Sequence, residues 1–463
     1  MPNSARTQFV ASLLERRLPF VLLSVLALHY LWFVYSSAPN IPYHDDIIDF
    51  LRFVNRVATA DSFWTALQEG FRQYNEHRTS ASRLQVYIAY LIEGDVNFRT
   101  LAVLGNIALL LILFLFYIAA RNDRRCWLYV LVAALLLLNL RAYRIVLWGQ
   151  PALAYFYVYF YAFACIFALH RVTPARFLLA ALLCSLSSMT LASGQIVWLF
   201  GLASLLHQSL WIRRCSVIYP ALWLLLSIVM LLVWRIGFIA ETPELSAEAL
   251  AQLAKSHPRV LLDPTVSELL IRYASFFMVI LGGAITATNT YLAVCFGSIM
   301  LGLLCFVTFR YYREEDVRLI LCCWFAVATL AAVAVGRSAM LPPESALLSN
   351  NRYGFFSVMV MCTLVMEMQL RLSVFKTSMA YLLLALAVSY SVWSYQRFVG
   401  PLEQFLSGRY ESYNESPYYV IGYPMSATAS IVAKAVKAGR YIPPCRPYPS
   451  CEEQTLTTDS LRP

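Results

Sequence analysis

Long apolar runs separated by short polar segments make up most of this chain. The runs fall at 18–36, 98–120, 127–140, 153–169, 177–191, 196–207, 216–234, 289–309, 319–336, 354–370 and 378–395. A straight helix needs about 20 predominantly apolar residues to cross the hydrocarbon core of a bilayer. Several runs reach that length and several are shorter, and the pattern as a whole predicts an all-α polytopic membrane protein with about 11 spans.

Basic residues in alternate loops predict the orientation of these spans, because short cytoplasmic loops carry an excess of Arg and Lys. The loops concerned contain Arg6, Arg16, Arg17, Arg121, Arg124, Arg125, Arg171, Arg176, Arg213, Arg214, Arg371 and Lys376. We therefore expect a cytoplasmic N-terminus and a C-terminal tail on the opposite side. This order requires that the apolar segment 268–286 be re-entrant or interfacial rather than spanning.

The same pattern divides the chain into two parts. Residues 1–397 form the predicted transmembrane module, whose first periplasmic loop covers residues 37–97, and residues 398–463 form a short periplasmic tail. The net charge is +10, while only 13% of the residues are charged. Because the positive charge lies mainly in the short loops, it indicates membrane orientation, and we expect membrane lipids rather than nucleic acid as partners.

An acidic pair follows the first apolar run in the sequence His44-Asp45-Asp46. Two adjacent carboxylates at a membrane surface are suited to general-base catalysis, because like charges and partial burial raise the pKa of a carboxyl group. Asp46 is equally well placed to cap a helix over 47–57, since Asp is a favoured N-cap residue. Asp45 and Asp46 are therefore candidate catalytic residues, with capping as the alternative role of Asp46.

A second polar group lies further along the same loop, at Asn75-Glu76-His77-Arg78. Such side chains are suited to binding phosphate or sugar hydroxyls, and the planar guanidinium of Arg78 can donate two hydrogen bonds to one phosphate. A solvated loop or the start of a helix is the structural alternative.

Polar residues at the ends of later runs complete the set of candidates. Arg337, Arg352 and Tyr353 lie on the predicted outer side, where an Arg can bind a lipid phosphate or extend to the membrane interface. The candidate substrate-binding residues are thus His44, Glu76, His77, Arg78, Arg337, Arg352 and Tyr353.

Three further features receive no catalytic role from the sequence. The group Arg141, Arg144, Trp148 and Gln150 is typical of an interface belt. The aromatic stripe over residues 155–161 is typical of helix packing. In the tail, the two cysteines at 445 and 451 stand in a polar segment that is predicted to face an oxidising compartment, which favours a disulfide between them.

A first span, an acidic pair that opens a long helical outer loop, and many further spans resemble the GT-C-type glycosyltransferases. Within that group the chain is similar to bacterial pilin arabinosyltransferases. The resemblance implies a GT-C-like helix bundle in a bacterial inner membrane, with a periplasmic active site and a polyprenyl-phosphate sugar as donor.

It also implies that Asp45 or Asp46 deprotonates a hydroxyl of a protein or glycan acceptor, while Arg78, Arg337 or Arg352 holds the lipid phosphate. The reaction would invert the anomeric centre. Many relatives carry a large soluble C-terminal domain, for which the tail here is too short.

Two other function classes stay open at this point. A polysaccharide polymerase or ligase that uses undecaprenyl-diphosphate oligosaccharides predicts essential Arg residues in the outer loops and a dispensable acidic pair. A lipid or sugar transporter predicts charged residues near the middle of the spans, where the sequence has few acids apart from Glu367, close to the end of a run. No cofactor is assigned, and the spacing leaves a divalent metal at the carboxylates open.

Overall fold

The computed structural model describes residues 17–239, 265–338, 347, 352–371, 376–416 and 425–449, with backbone only at 352, 376–377 and 425–427. All regular elements in these ranges are helices, numbered here in chain order. They are α1 (Leu18–Ser37), α2 (Asp46–Leu51, a π-helix, continued by Arg52–Val57), α3 (Phe63–Phe71), α4 (Ser80–Glu93), α5 (Phe98–Ala120), α6 (Cys126–Val146), α7 (Gly149–Leu169), α8 (Pro174–Ser188), α9 (Val197–Leu206, continued by His207–Trp211), α10 (Ile218–Arg235), α11 (Val266–Leu281), α12 (Thr290–Tyr311), α13 (Arg318–Arg337), α14 (Arg352–Arg371), α15 (Lys376–Glu415) and α16 (Met425–Lys437).

Nine of the helices in the described ranges are long and apolar enough to cross a membrane, namely α1, α5, α6, α7, α10, α12, α13, α14 and α15. The chain is therefore a helical multi-pass membrane protein, as predicted, although nine of the described helices, and not about 11, are long enough to span. The apolar runs at 177–191 and 196–207 also form helices, α8 and α9, joined by a tight turn over Ala192–Ile196. At 15 residues, α8 is about 22 Å long, which is less than the hydrocarbon thickness.

The ends of the helices gather at two polar faces. At one of them, which we call the basic face, Arg171 and Arg214 both pair with Glu315. Arg371 of α14 pairs there with Glu367, at 2.7 Å. These are the loops whose basic residues predicted a cytoplasmic side, and ion pairing brings them together at one end of the bundle.

The other face, which we call the loop face, holds the long loop between α1 and α5 together with the C-terminal tail. The hydroxyl of Tyr441 donates to the carbonyl of Asn40 at 2.9 Å, and the side chain of Asn55 donates to the carbonyl of Ile431 at 2.9 Å. Cys445 is disulfide-bonded, in line with the prediction, and Cys451 lies outside the described residues. The tail thus packs onto the first loop.

The apolar segment 268–286 forms α11 and the turn after it. With 16 residues, α11 is not among the helices long enough to span. The turn is tight, because a Cβ at Gly282 would overlap the backbone of Ala293 in α12. Buried Arg141 of α6 holds this hairpin, with its Nε 2.9 Å from the carbonyl oxygen of Gly283.

The last long helix links the membrane part to the loop face. α15 has 40 residues and runs without a break past position 397, so the predicted boundary between module and tail falls inside a helix. Near its C-terminal end, Arg409 donates to the carbonyl of Leu147 at 3.1 Å and to that of Ile41 at 2.6 Å. These contacts fix the start of the long loop and the end of α6 beneath the candidate site.

Candidate functional site

A polar cavity of about 380 Å³ opens at the loop face. Its wall combines carboxylates, imidazoles, guanidinium groups and aromatic rings from the long loop, from α6 and α7, from the turn after α8 and from the end of α13. The lining residues are Tyr43, His44, Asp45, Tyr74, Asn75, Glu76, His77, Arg144, Trp148, Gln150, Tyr155, Leu191 and Arg337. The cavity lies within the range of roughly 300–1,000 Å³ that is common for small-molecule sites.

The acidic pair divides between the cavity and the protein interior. Asp45 lines the cavity and accepts a hydrogen bond from the hydroxyl of Tyr74. Asp46 is fully buried and points away from it. Adjacent residues in a turn direct their side chains differently, and of the two carboxylates only that of Asp45 can meet a bound substrate directly.

The buried carboxylate of Asp46 holds two segments of the cavity wall together. Its oxygens accept the backbone N–H of Tyr43 at 3.0 Å and that of Gln150 at 2.8 Å. Burial raises the pKa of Asp46 to about 7, while the nearby Arg409 guanidinium and the two N–H donors act in the opposite direction. Asp46 therefore braces the wall through its contact with Gln150, far along the chain. Asp46 is the first residue of α2, while Asp45 holds the N-cap position without a side-chain capping bond, so the capping role of Asp46 is not observed.

Backbone geometry around the acidic pair is unusual. His44 and Asn75 both have φ near +45°, at 45° and 47° respectively, and both line the cavity. Non-glycine residues rarely adopt this left-handed conformation, and they concentrate at functional sites. The π-helical start of α2 immediately after Asp45 is a second feature that recurs at such sites.

A chain of polar contacts runs along one side of the cavity. Arg337 pairs with Glu76 at 2.9 Å, and Nε2 of His77 lies 3.6 Å from the same carboxylate oxygen. Nδ1 of His77 accepts the backbone N–H of Ala192, so a neutral ring carries its proton on Nε2, facing Glu76. Burial lowers the pKa of His77. The Glu76 carboxylate raises this pKa, and the Arg337 guanidinium lowers it. Three sequence-predicted residues thus meet in one place.

A smaller, mainly apolar cavity of about 160 Å³ adjoins the first, sharing Glu76, His77, Tyr155, Leu191 and Arg337 with it. Its remaining lining comes chiefly from α13 and α14. Tyr353, a predicted site residue, lines this second cavity. Arg352 begins α14, and its side chain lies outside the described residues.

Arg78 has a different environment from the one predicted. Its guanidinium is buried and donates to the carbonyls of Phe71, Trp234 and Ile236, with Nε 2.7 Å from the oxygen of Trp234. It does not line either cavity. These contacts assign Arg78 to joining the loop to α10, because its donors are directed at backbone carbonyls.

Sequence reasoning assigned no site role to several residues that line the main cavity, among them Arg144, Trp148, Gln150 and Tyr155. The ring centre of Trp148 lies 4.9 Å from the ring centre of Tyr43 and 5.7 Å from that of His44. One signal was present in the sequence, since Arg144 is a basic residue on the predicted outer side and departs from the positive-inside pattern.

The part of the chain that the structure describes contains no group of three or more His, Cys, Asp or Glu side chains arranged to hold a metal ion. The divalent metal that the spacing left open has no preformed three-ligand site there. Any metal at Asp45 would need further ligands from substrate phosphate or water.

No family model, curated protein or solved structure matches this chain. The fold and the cavity define its class: a helical multi-pass membrane protein with a polar, two-part cavity at the loop face.

Proposed function

We propose that this chain is a GT-C-type membrane glycosyltransferase that transfers a sugar from a polyprenyl-phosphate donor to a hydroxyl group of a protein or glycan acceptor. The proposed setting is the periplasmic side of a bacterial inner membrane. The observation that carries the proposal is the position of Asp45. Its carboxylate shares a cavity at the ends of the spans with two arginines, Arg144 and Arg337, and with an aromatic wall.

The contents of the main cavity suit a sugar phosphate. Aromatic faces pack against the apolar face of a sugar ring, and the rings of Tyr43, His44 and Trp148 lie within 4.2–5.7 Å of one another. Arg337 and Arg144 supply guanidinium donors, which bind phosphate in a bidentate manner. Arg144 is held over the ring of Phe405 at 5.6 Å.

The second cavity suits the carrier. It is the more apolar of the two, it is bounded by α13 and α14, and Arg337 borders both cavities. A polyprenyl chain placed there would leave its phosphate at Arg337 and its sugar in the main cavity. This arrangement supports a lipid-linked donor over a soluble nucleotide sugar.

In the proposed reaction, the acceptor oxygen attacks the anomeric carbon while its proton passes to the carboxylate of Asp45. The bond between the anomeric carbon and the phosphate oxygen breaks, and polyprenyl phosphate leaves with the bonding electron pair. Arg337 and Arg144 stabilise the negative charge that develops on this phosphate. A single displacement of this kind inverts the anomeric configuration.

The charges within the spans favour an enzyme over a proton-coupled transporter. Such a transporter places ionisable residues near the middle of the membrane. In the described spans, Glu367 is paired with Arg371 at the basic face. The carboxylate, imidazole and guanidinium groups that line the two cavities lie at the loop face.

Mass spectrometry of surface glycans and glycoproteins tests the proposal. Cells that lack the chain are complemented with the wild type, with Asp45→Asn, or with Asp61→Asn as a matched control. Asp61 is an exposed carboxylate of the same loop that does not line the cavity. We expect a glycan mass that depends on the wild type and on Asp61→Asn and is lost with Asp45→Asn at equal protein abundance. Full restoration by Asp45→Asn would instead favour the polymerase or ligase mechanism, and identical glycans in all strains would refute glycosyl transfer.

A further inference from the structure

Helix α3 has an apolar stripe that no other part of the described chain covers. Phe63, Leu67 and Phe71 follow one another at intervals of four residues and therefore share one face, with Trp64 beside them. Phe63 is 72% exposed and Trp64 is 69% exposed. The opposite side of this nine-residue helix is polar and includes Thr65.

Helix α4 repeats this arrangement. Its buried side, which includes Val86, packs into the protein, while Leu84, Ile88 and Leu91 form an exposed stripe at helical spacing. Ile92, next to the stripe, is 79% exposed. Two consecutive loop helices thus present apolar stripes outward.

Hydrogen bonds place both stripes at the edge of the membrane-spanning bundle. Arg78 joins the last residue of α3, Phe71, to the carbonyls of Trp234 and Ile236 at the end of α10. On α4, the side chain of Gln85 donates to the hydroxyl of Tyr161 in α7 at 3.1 Å. The stripes therefore lie beside helices that cross the membrane.

The apolar surface continues from α10 into this region. Only 17% of α10 is buried, and its exposed Leu and Ile side chains form a surface that faces lipid in a spanning helix. Beyond the end of α10, Ile236 and Ile239 are each 71% exposed, and Gln73 binds the backbone of Ile239. The lipid-facing surface of α10 and the residues next to the α3 stripe thus adjoin.

We propose that α3 and α4 dock onto the lipid surface of the membrane that the chain spans, with their apolar stripes at the boundary between headgroups and acyl chains. Aromatic and Leu side chains on one face and polar residues on the other are typical of interfacial helices. On the polar side of α3, Glu69 pairs with Arg56 at 3.0 Å and with Arg72 at 3.3 Å. The proposal does not depend on the proposed function.

Docking of this kind has a consequence for the cavity. The segment between α3 and α4 carries Tyr74, Glu76 and His77, which line it. With an interfacial helix on each side, this wall is held at the level of the lipid headgroups.

Photo-crosslinking of the purified full-length chain tests the proposal. The chain is placed in vesicles of phosphatidylethanolamine and phosphatidylglycerol that contain a phosphatidylcholine with a diazirine close to its glycerol. After irradiation, peptides are sequenced by mass spectrometry. We expect lipid adducts on Phe63, Trp64 and Ile92, as on the spanning helix α10, and none on Thr65.

Matched charge variants sharpen the experiment. Phe63→Glu should lower the adduct yield on α3 about tenfold, because a large apolar side chain no longer inserts. Thr65→Glu places the same charge on the polar side and should leave the yield unchanged. Adducts on α10 without any on α3 and α4 would overturn the proposal. So would equal adduct yields on Phe63 and Thr65, because α3 would then have no lipid-facing side.

Discussion

At the scale of single residues, the two neighbouring carboxylates of Asp45 and Asp46 have different environments. Asp45 faces the cavity and accepts from Tyr74, whereas buried Asp46 accepts the backbone N–H groups of Tyr43 and Gln150. The difference arises because α2 begins between them and turns the second carboxylate inward. Adjacent acids in a sequence therefore need not share a function.

This difference predicts unequal effects of the two Asn variants. Asp45→Asn should lower transfer about 10²–10⁴-fold, which is the usual cost of losing a general base. Asp46→Asn keeps one side-chain acceptor but places an amide group opposite a backbone donor, so transfer should fall less. Initial rates in membranes with equal amounts of protein measure both. Equal losses, or a larger loss for Asp46→Asn, would show that the base is wrongly assigned.

Asp46 also predicts a pH dependence of stability. The pKa of its carboxyl rises from an ordinary value of 3.8 to about 7, chiefly through burial. Between these values the folded protein holds a proton that the unfolded chain has released, so stability falls as the pH rises through this window. Thermal unfolding in detergent should show that Asp46→Asn loses less stability than the wild type between about pH 4 and pH 7. Asp49 does not confound the comparison, because it is present in both proteins. Parallel pH profiles would contradict the prediction.

At the scale of elements, two arginines that were both predicted to bind phosphate have different structural roles. Arg78 joins α3 to α10 through three backbone carbonyls. Arg337 ends α13 and pairs with Glu76 at the cavity. Both are arginines on the predicted outer side, so the sequence does not distinguish them. The packing of the helices directs Arg78 to backbone carbonyls and Arg337 to the cavity.

Replacing one arginine should therefore lower mainly stability, and replacing the other should lower mainly activity. Arg78→Ala leaves buried carbonyls without a donor, at about 1–3 kcal/mol for an unsatisfied group, so the thermal midpoint should fall while the folded fraction keeps its activity. Arg337→Ala removes a partly exposed ion pair, which contributes little to stability, but should strongly reduce transfer. Thermal unfolding and rate per folded protein, measured on both variants, separate the two roles. A normal rate with Arg337→Ala would mean that Arg337 is an interface residue.

At the scale of the whole molecule, the two faces differ in composition. Ion pairs among Arg171, Arg214 and Glu315 collect at the basic face, while the cavity and the tail lie at the loop face. From the positive-inside rule we expect the basic face in the cytoplasm and the proposed site on the other side of the membrane.

Reporter fusions test this orientation. A fusion after Arg125 should give a cytoplasmic signal, and one after Glu415 should give a signal from the opposite side, because an excess of Arg marks the cytoplasmic loops. A cytoplasmic signal after Glu415 would show that α11 crosses the membrane and that each later helix has the opposite orientation.

The sequence by itself determined the class of protein, because a run of about 20 apolar residues has few stable alternatives to a spanning helix. It also located the long loop and several residues that line the cavity, since polar groups such as Asp45 and Glu76 stand out in an apolar chain. The tertiary structure decided which of these residues share a site. It brought Arg337 to Glu76 across 261 positions, turned Asp46 and Arg78 into the protein, and added Arg144 and Trp148 from a segment with no assigned role. Side-chain direction depends on where each helix begins and on what packs against it, and a single apolar pattern does not encode either.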